Sequence, residues 1–243
     1  MLEIQILSLI GIVLFFAFVI KGSTGFGAGL FTVPILLLFL DLKIILPLFL
    51  TVQIFADIYL LYKFRKNIDK KIIFYIFVFS IIGVIFGTYF LSNLENEILK
   101  KILGVFIILF SAKTLFSKNN LHIQKKINKI MVMIAGFIGG FLDALMGTGG
   151  PPIVMYLSHI NVKKAVFRAT CTMSFFIFHI SRLITYTYSG IINLEIIKMG
   201  LILVPAMILG SAVGIFIHSK IDDKLFKKIV SFILLIIGAL LLR

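Results

Sequence analysis

An all-α bundle embedded in a lipid bilayer is the fold class this sequence predicts, on three observations. Its 243 residues are 60% hydrophobic, with a mean hydropathy of +1.15. Apolar runs recur with charged loops between them, and each is close to the roughly 20 residues that an α-helix needs to cross the hydrocarbon core. Runs such as VSFILLIIGALLL are apolar on every side, whereas the strands of a membrane barrel alternate apolar and polar residues.

The first apolar segment spans residues 4–20. It has no basic region ahead of it and no small-residue cleavage site, so it reads as a membrane helix rather than a signal peptide. Next comes IKGSTGFGAGLFTVPILLLFL, Ile20 to Leu40, in which the glycines predict a break over Lys21 to Gly29 and a shorter helix from about Leu30. Helices near 43–62, 72–92 and 98–116 follow, separated by the basic loop KFRKNIDKK and the acidic loop SNLENE. The hydrophilic stretch SKNNLHIQKKINK then divides the chain into a first repeat (1–117), a cytoplasmic linker (118–129) and a second repeat (130–243). Past it the order returns: a segment at 130–146, a break within GGFLDALMGTGGPPIVMYL (Gly139 to Leu157), a short helix at 152–160, and helices near 165–187, 196–217 and 225–242.

Glycine costs about 1 kcal/mol and proline about 3 kcal/mol in a helix interior, so each break forces the backbone out of helical geometry. Freed N–H and C=O groups cost several kcal/mol in hydrocarbon, so irregular backbone survives only where protein or a watery cavity satisfies it. The two breaks are related by one shift: 147 − 25, 149 − 27 and 143 − 21 all equal 122, pairing Gly25 with Gly147, Gly27 with Gly149 and Lys21 with Asp143. Further along, Gly83 and Gly87 align with Gly210 and Gly214, since 210 − 83 = 127. These G-x-x-x-G pairs read as sites of close helix packing. Interrupted helices at matching places in two halves point to a transporter's midplane site.

Each half holds a broken hairpin and three crossings, which predicts halves inverted relative to one another. With inversion, most loop lysines and arginines fall on the side of the 63–71 loop, leaving Lys43, Lys100, Lys101, Arg182, Lys198 and Arg243 opposite. A parallel duplication spreads them almost evenly, so the positive-inside rule favours inversion. The same rule accounts for the net charge of +14 without a nucleic-acid partner. The lone Cys171 allows no internal disulfide and no cysteine-based metal cluster, and reads as a small packing residue. No cofactor is expected; the expected partners are the bilayer, a small anion and, as an open option, further copies of the chain.

Past each break a helix starts with free N–H groups and the positive end of its dipole, an anion cradle. The predicted substrate-binding residues are Lys21, Ser23, Thr24, Gly25, Gly27 and Gly29 in the first break and Gly147, Thr148, Gly149 and Gly150 in the second; Thr32 adds a hydroxyl. Pro151 and Pro152 lack N–H and suit a first helical turn. Charge within a membrane helix costs about 2.5–3.5 kcal/mol, which singles out Lys21, Asp143 and Asp57. Pseudo-symmetry would bring Lys21 near Asp143, either as a structural ion pair or as substrate contact and proton carrier. Asp57, on one helix face with Gln53, is either functional or paired with Arg65 or Lys66. His179 can titrate near neutrality and completes the proton- or ion-coupling set of Asp143, Asp57 and His179. Thr170, Thr172 and Ser174 read as hydroxyls bonded back to the preceding turn.

At the breaks, G-x-G-A-G-L-x-x-x-P (Gly25 to Pro34) and D-A-L-x-G-T-G-G (Asp143 to Gly150), with the duplicated segment pattern, resemble the sulfite exporter TauE/SafE family of membrane permeases. The resemblance spans nearly the whole chain and implies seven or eight segments in two repeats, handling sulfite, sulfoacetate and related anions or organosulfur compounds. The chain departs from the family's usual G-x-G-G-G at Ala28 and at Pro151–Pro152, which bears on the substrate. The leading reading is a secondary permease for such an anion in the plasma membrane, not an enzyme; no G-x-x-x-x-G-K-[ST] run is present for ATP hydrolysis. The alternatives are a passive anion channel and an intramembrane enzyme using Asp57 and Asp143 as a dyad.

Overall fold

A computed structural model describes residues 4–116, 127–160, 162–217, 232 and 234–242, so the linker and much of the last segment lie outside the described residues. In order, the helices are α1 (Ile4–Thr24), α2 (Ala28–Leu36), α3 (Leu42–Phe64), α4 (Lys70–Asn93), α5 (Asn96–Phe116), α6 (Lys129–Met146), α7 (Gly150–His159), α8 (Lys164–Tyr188) and α9 (Leu194–Ile217), with a 3-10 turn at Arg65–Asn67. Residues 234–241 are helical and pack on α5, Gly104 against Gly238. Among the described residues five helices, α1, α3, α4, α6 and α9, are long and apolar enough to cross a bilayer. This is an all-α membrane protein.

The arms past the breaks start earlier than the sequence predicts, at Ala28 rather than Leu30 and at Gly150 rather than Pro152. They are also short. At 1.5 Å per residue, the 9 residues of α2 and 10 of α7 reach about 14–15 Å, half of the roughly 30 Å hydrocarbon core. Neither helical arm is long enough by itself to cross the hydrocarbon core.

The most extensive helix pairs are α4 with α6 and α1 with α9. A Cβ on Gly83 or Gly87 would strike the carbonyl oxygen of Phe137 or Phe141; one on Gly210 or Gly214 would strike that of Phe15 or Val19. Since 137 − 122 = 15 and 141 − 122 = 19, this is one contact made twice, each half's glycine helix lying against the other half's hairpin. The G-x-x-x-G pairs act in packing, as read. Gly210→Ala is expected to cost about 1–3 kcal/mol by overpacking and to lower the melting temperature in detergent. Gly11→Ala, whose Cβ would meet only Leu203 at an ordinary 3.7 Å, leaves melting unchanged or raises it.

Solvent preference is inverted relative to a soluble domain. Phe16, Tyr62, Leu109, Ile130 and Tyr188 face outward, while Lys21, Asp57, Asp143, His179 and Arg182 are buried. The 25-residue α8, in contact with α3, α4, α6 and α7, turns its polar face inward: Thr170, Thr172, Ser174, His179 and Arg182 are all buried. Ser174 bonds the Thr170 carbonyl at 2.7 Å and Thr172 that of Arg168 at 2.8 Å, the predicted back-bonding. Cys171 is buried and unpaired. The N–H of Asp69 donates to Thr170 Oγ1 at 3.2 Å and the Arg168 guanidinium lies 4.5 Å from the Phe64 ring centroid. The basic loop 63–71 and the basic start of α8 therefore occupy one end of the bundle.

Candidate functional site

The two breaks have a common backbone cause. Gly25 (φ +88°), Gly27 (φ +94°) and Gly147 (φ +67°) adopt the left-handed region, where a Cβ costs roughly 1–2 kcal/mol per residue, and this turns the chain out of α1 and α6. The starts of α2 and α7 carry no side-chain cap. The amides of Ala28, Gly29, Leu30 and Gly150 thus begin helices without an intrahelical acceptor, while Pro151 and Pro152 have no N–H to offer. The breaks meet backbone to backbone: a Cβ on Gly29 would overlap the Gly147 carbonyl oxygen.

Where they meet they form a partly open cavity lined by Gly27, Ala28, Gly29 and Leu30 from one side, Gly147, Thr148, Gly149 and Gly150 from the other, and Lys21, Gln53, Asp143 and His179. Its interior has about 20 Å³ for water centres, room for a water molecule or two. Gln53 stands midway along α3 and Phe175, which also lines the cavity, beside the midpoint of α8, so the site lies at mid-depth of both helices.

A chain of buried charges runs beneath it. Lys21 Nζ lies 2.6 Å from Asp57 Oδ1, Asp57 Oδ2 lies 2.5 Å from His179 Nδ1, His179 Nε2 lies 3.6 Å from Asp143 Oδ1, and Asp143 Oδ2 lies 3.1 Å from Arg182 Nη1. Arg182 also donates to the carbonyls of Asp143 (2.8 Å) and Leu46 (3.2 Å) and to Gln53 Oε1 (3.1 Å). Gly149 N–H points at Asp143 Oδ1, 3.4 Å away. The arrangement follows the repeat. Because 179 − 57 = 122 as well as 143 − 21, the pair Lys21–Asp57 corresponds to Asp143–His179, and the Asp57–His179 contact joins the two across the pseudo-axis. With a neutral imidazole, Lys21 and Arg182 balance Asp57 and Asp143; a proton on His179 leaves one positive charge.

Comparison with known proteins decides the family. The profile described as sulfite exporter TauE/SafE matches residues 10–241. This chain belongs to the TauE/SafE family. A relative from Methanocaldococcus jannaschii, described as a probable membrane transporter protein, is 28% identical over 267 positions, covering 99% of this chain and 98% of its own length. No solved structure matches the chain. The protein is thus a multi-pass membrane transporter of the TauE/SafE type.

Several residue expectations change within this TauE/SafE site. Lys21 pairs with Asp57 and Asp143 with Arg182, because pseudo-symmetry makes Lys21 and Asp143 equivalent without placing them in contact. Asp57 binds neither Arg65 nor Lys66; it is fully buried and faces Lys21 and His179. Ser23 and Thr24 do not line the cavity, since their hydroxyls bond the Ile20 carbonyl at 2.9 and 2.8 Å and Thr24 also bonds Phe26. Gly25 does not line it either, but sits against Arg168. Thr148 does line it, and its buried hydroxyl has no partner among the described residues; Thr32 is likewise unpartnered but lies outside the lining. Arg182, on the predicted 165–187 helix and counted among the charges opposite the 63–71 loop, is fully buried. Its position three residues after His179, on one helix face, is the signal that count passed over.

Proposed function

We propose that the protein is a proton-coupled secondary transporter of a small anion, sulfite, sulfoacetate or a related sulfur-containing or organic anion, in the cell membrane. One observation carries the reading: two uncapped helix starts from different parts of the chain converge on a mid-depth cavity beside Lys21 and the unpartnered Thr148 hydroxyl. Open amides and the helix dipole favour negative charge there. His179 stands between two carboxylates and can accept a proton on one ring nitrogen while releasing one from the other. The positive charge that such a proton adds offsets one negative charge of a bound anion, which links the two movements.

The halves are 1–117 and 130–243, joined by the 118–129 linker and inverted. The exchanged glycine contacts fit a twofold relation between the halves, and support for inversion comes from the shared end of the 63–71 loop and the α8 start, which a parallel duplication would place on opposite faces. A passive pore fits less well, because the cavity has room only for water and must rearrange for each solute. An aspartyl dyad fits less well too, because His179 separates the carboxylates that would share a proton.

The test is thermal melting of purified protein with sulfite, sulfoacetate, thiosulfate or sulfate. An anion at about 100 times its Kd stabilises the folded state by about 2.7 kcal/mol, and at least one is expected to raise the melting temperature. Gly150→Ala adds a methyl to the cavity at ordinary distances (Phe175 at 3.6 Å, Phe26 at 3.9 Å), and Thr148→Val removes the free hydroxyl. Both are expected to reduce the shift without changing melting of the empty protein. Gly149→Val is a poor probe, since its Cβ would meet the Gly139 carbonyl at 2.6 Å and Asp143 Cβ at 2.7 Å. Melting unmoved by every anion would defeat the proposal.

A further inference from the structure

A second, larger concavity lies on the outside of the bundle, between the first half of α4 and α8, with water-accessible space of about 680 Å³ against about 20 Å³ in the inner cavity. Its wall is apolar, formed by stripes at helical spacing: Phe77 on α4 and Phe176 and Ile180 on α8 are among its residues. Its rim carries Arg65, Lys66 and Lys70, all exposed. None of the three is in an ion pair among the described residues, where the ion pairs all belong to the inner charge chain. The nearby acid, Asp69, is engaged as the cap of α4, accepting from the amides of Lys71 (3.0 Å) and Ile72 (3.1 Å).

The geometry points to a binding site for one anionic phospholipid, its phosphate held by Arg65, Lys66 and Lys70 and an acyl chain laid along Phe77, Phe176 and Ile180. Three features fit that occupant together. The cations sit at one end of the groove, where α4 starts, and the 63–71 loop and the α8 start share that end, so the charged end belongs at the membrane surface. From there the groove descends along α4 from Lys70 to Phe77 and along α8 from Met173 to Ser181, about 10–12 Å at the rise of a helix, the depth of an acyl chain's upper half. Basic pockets between membrane helices on the cytoplasmic side hold anionic headgroups by this combination of charge and apolar wall. The groove face of α8 backs onto the face that carries His179 and Arg182, so a lipid here supports the helix that holds the inner charges.

The chain has no tryptophan, which gives a direct test. Full-length protein carrying Phe77→Trp is placed in vesicles of mixed phosphatidylcholine and phosphatidylglycerol, with either lipid brominated in its acyl chains to quench nearby indole fluorescence. At Phe77→Trp the phosphatidylglycerol is expected to outcompete phosphatidylcholine by about fivefold or more, the order contributed by a single well-placed cation. At Leu209→Trp, on the lipid-facing side of α9, the ratio is expected near one. Arg65→Gln, Lys66→Gln and Lys70→Gln combined are expected to return the Phe77→Trp ratio to near one, and Arg65→Lys alone to preserve it. The assignment is overturned by equal ratios at the two tryptophans or by a preference that survives the triple neutralisation. Absence of quenching by either lipid, the result of another protein copy covering the groove, overturns it as well.

Discussion

Asp57→Leu is expected to lower the stability of the folded protein by about 3–5 kcal/mol, the cost of removing one partner from a buried ion pair. Asp57 is fully buried and Lys21 is 3% exposed, so the lysine left behind would lose its paired counter-charge with little water to replace it; its remaining neighbours include the rings of Phe18 and Phe175, at 5.8 and 5.9 Å from Nζ. The charge can instead be removed together with its partner. Lys21→Met combined with Asp57→Leu replaces the pair by apolar groups of similar volume, a change that is often neutral or stabilising. The double variant is expected to recover most of the lost stability, measured as midpoint denaturation in detergent, but not transport. Recovery of both would make the pair a structural brace and remove it from the site; additive losses would mean that the two side chains do not interact.

Asp143→Asn is expected to cut gradient-driven uptake by about tenfold or more, the equivalent of about 1.4 kcal/mol in the barrier. The amide keeps the shape of the carboxylate and can still accept from Gly149, and Arg182 retains the carbonyls of Asp143 and Leu46 and Gln53 Oε1. The variant should therefore fold. What it loses is the proton acceptor on the Nε2 side of His179 and the balance of charge around the cavity. Exchange of labelled for unlabelled anion without a gradient is expected to persist, since it needs the cradle and not the relay. Equal loss of exchange and of gradient-driven uptake would assign Asp143 to anion binding instead of coupling.

The features legible in the sequence are those with a local physical cause. Glycine at Gly25, Gly27 and Gly147 is required by backbone conformation, and Gly83, Gly87, Gly210 and Gly214 by close approach, so both sets can be read from residue type and spacing alone. The presence of Lys21, Asp57, Asp143 and His179 in apolar helices was equally plain, because charge in hydrocarbon is costly. Their pairing was not. Which charge meets which depends on how α3 and α8 dock against the hairpins, and the repeat conceals this: symmetry equates Lys21 with Asp143, while contact joins Lys21 to Asp57. Arg182 poses the same difficulty. Its place on the helix and its charge name no partner, and only packing reveals that three oxygens and a carboxylate from α3 and α6 surround it. The hydroxyls of Ser23 and Thr24 were overvalued because the local turn that consumes them does not follow from residue type.

The most direct test of the central claim is sulfite uptake into liposomes containing the purified protein, measured against concentration with and without an imposed pH gradient, for the wild type and Gly150→Ala. The account predicts saturable uptake, accelerated by the gradient, with half-saturation shifted to higher concentration in Gly150→Ala. Uptake that rises linearly with concentration, ignores the gradient and is the same in both proteins would contradict it.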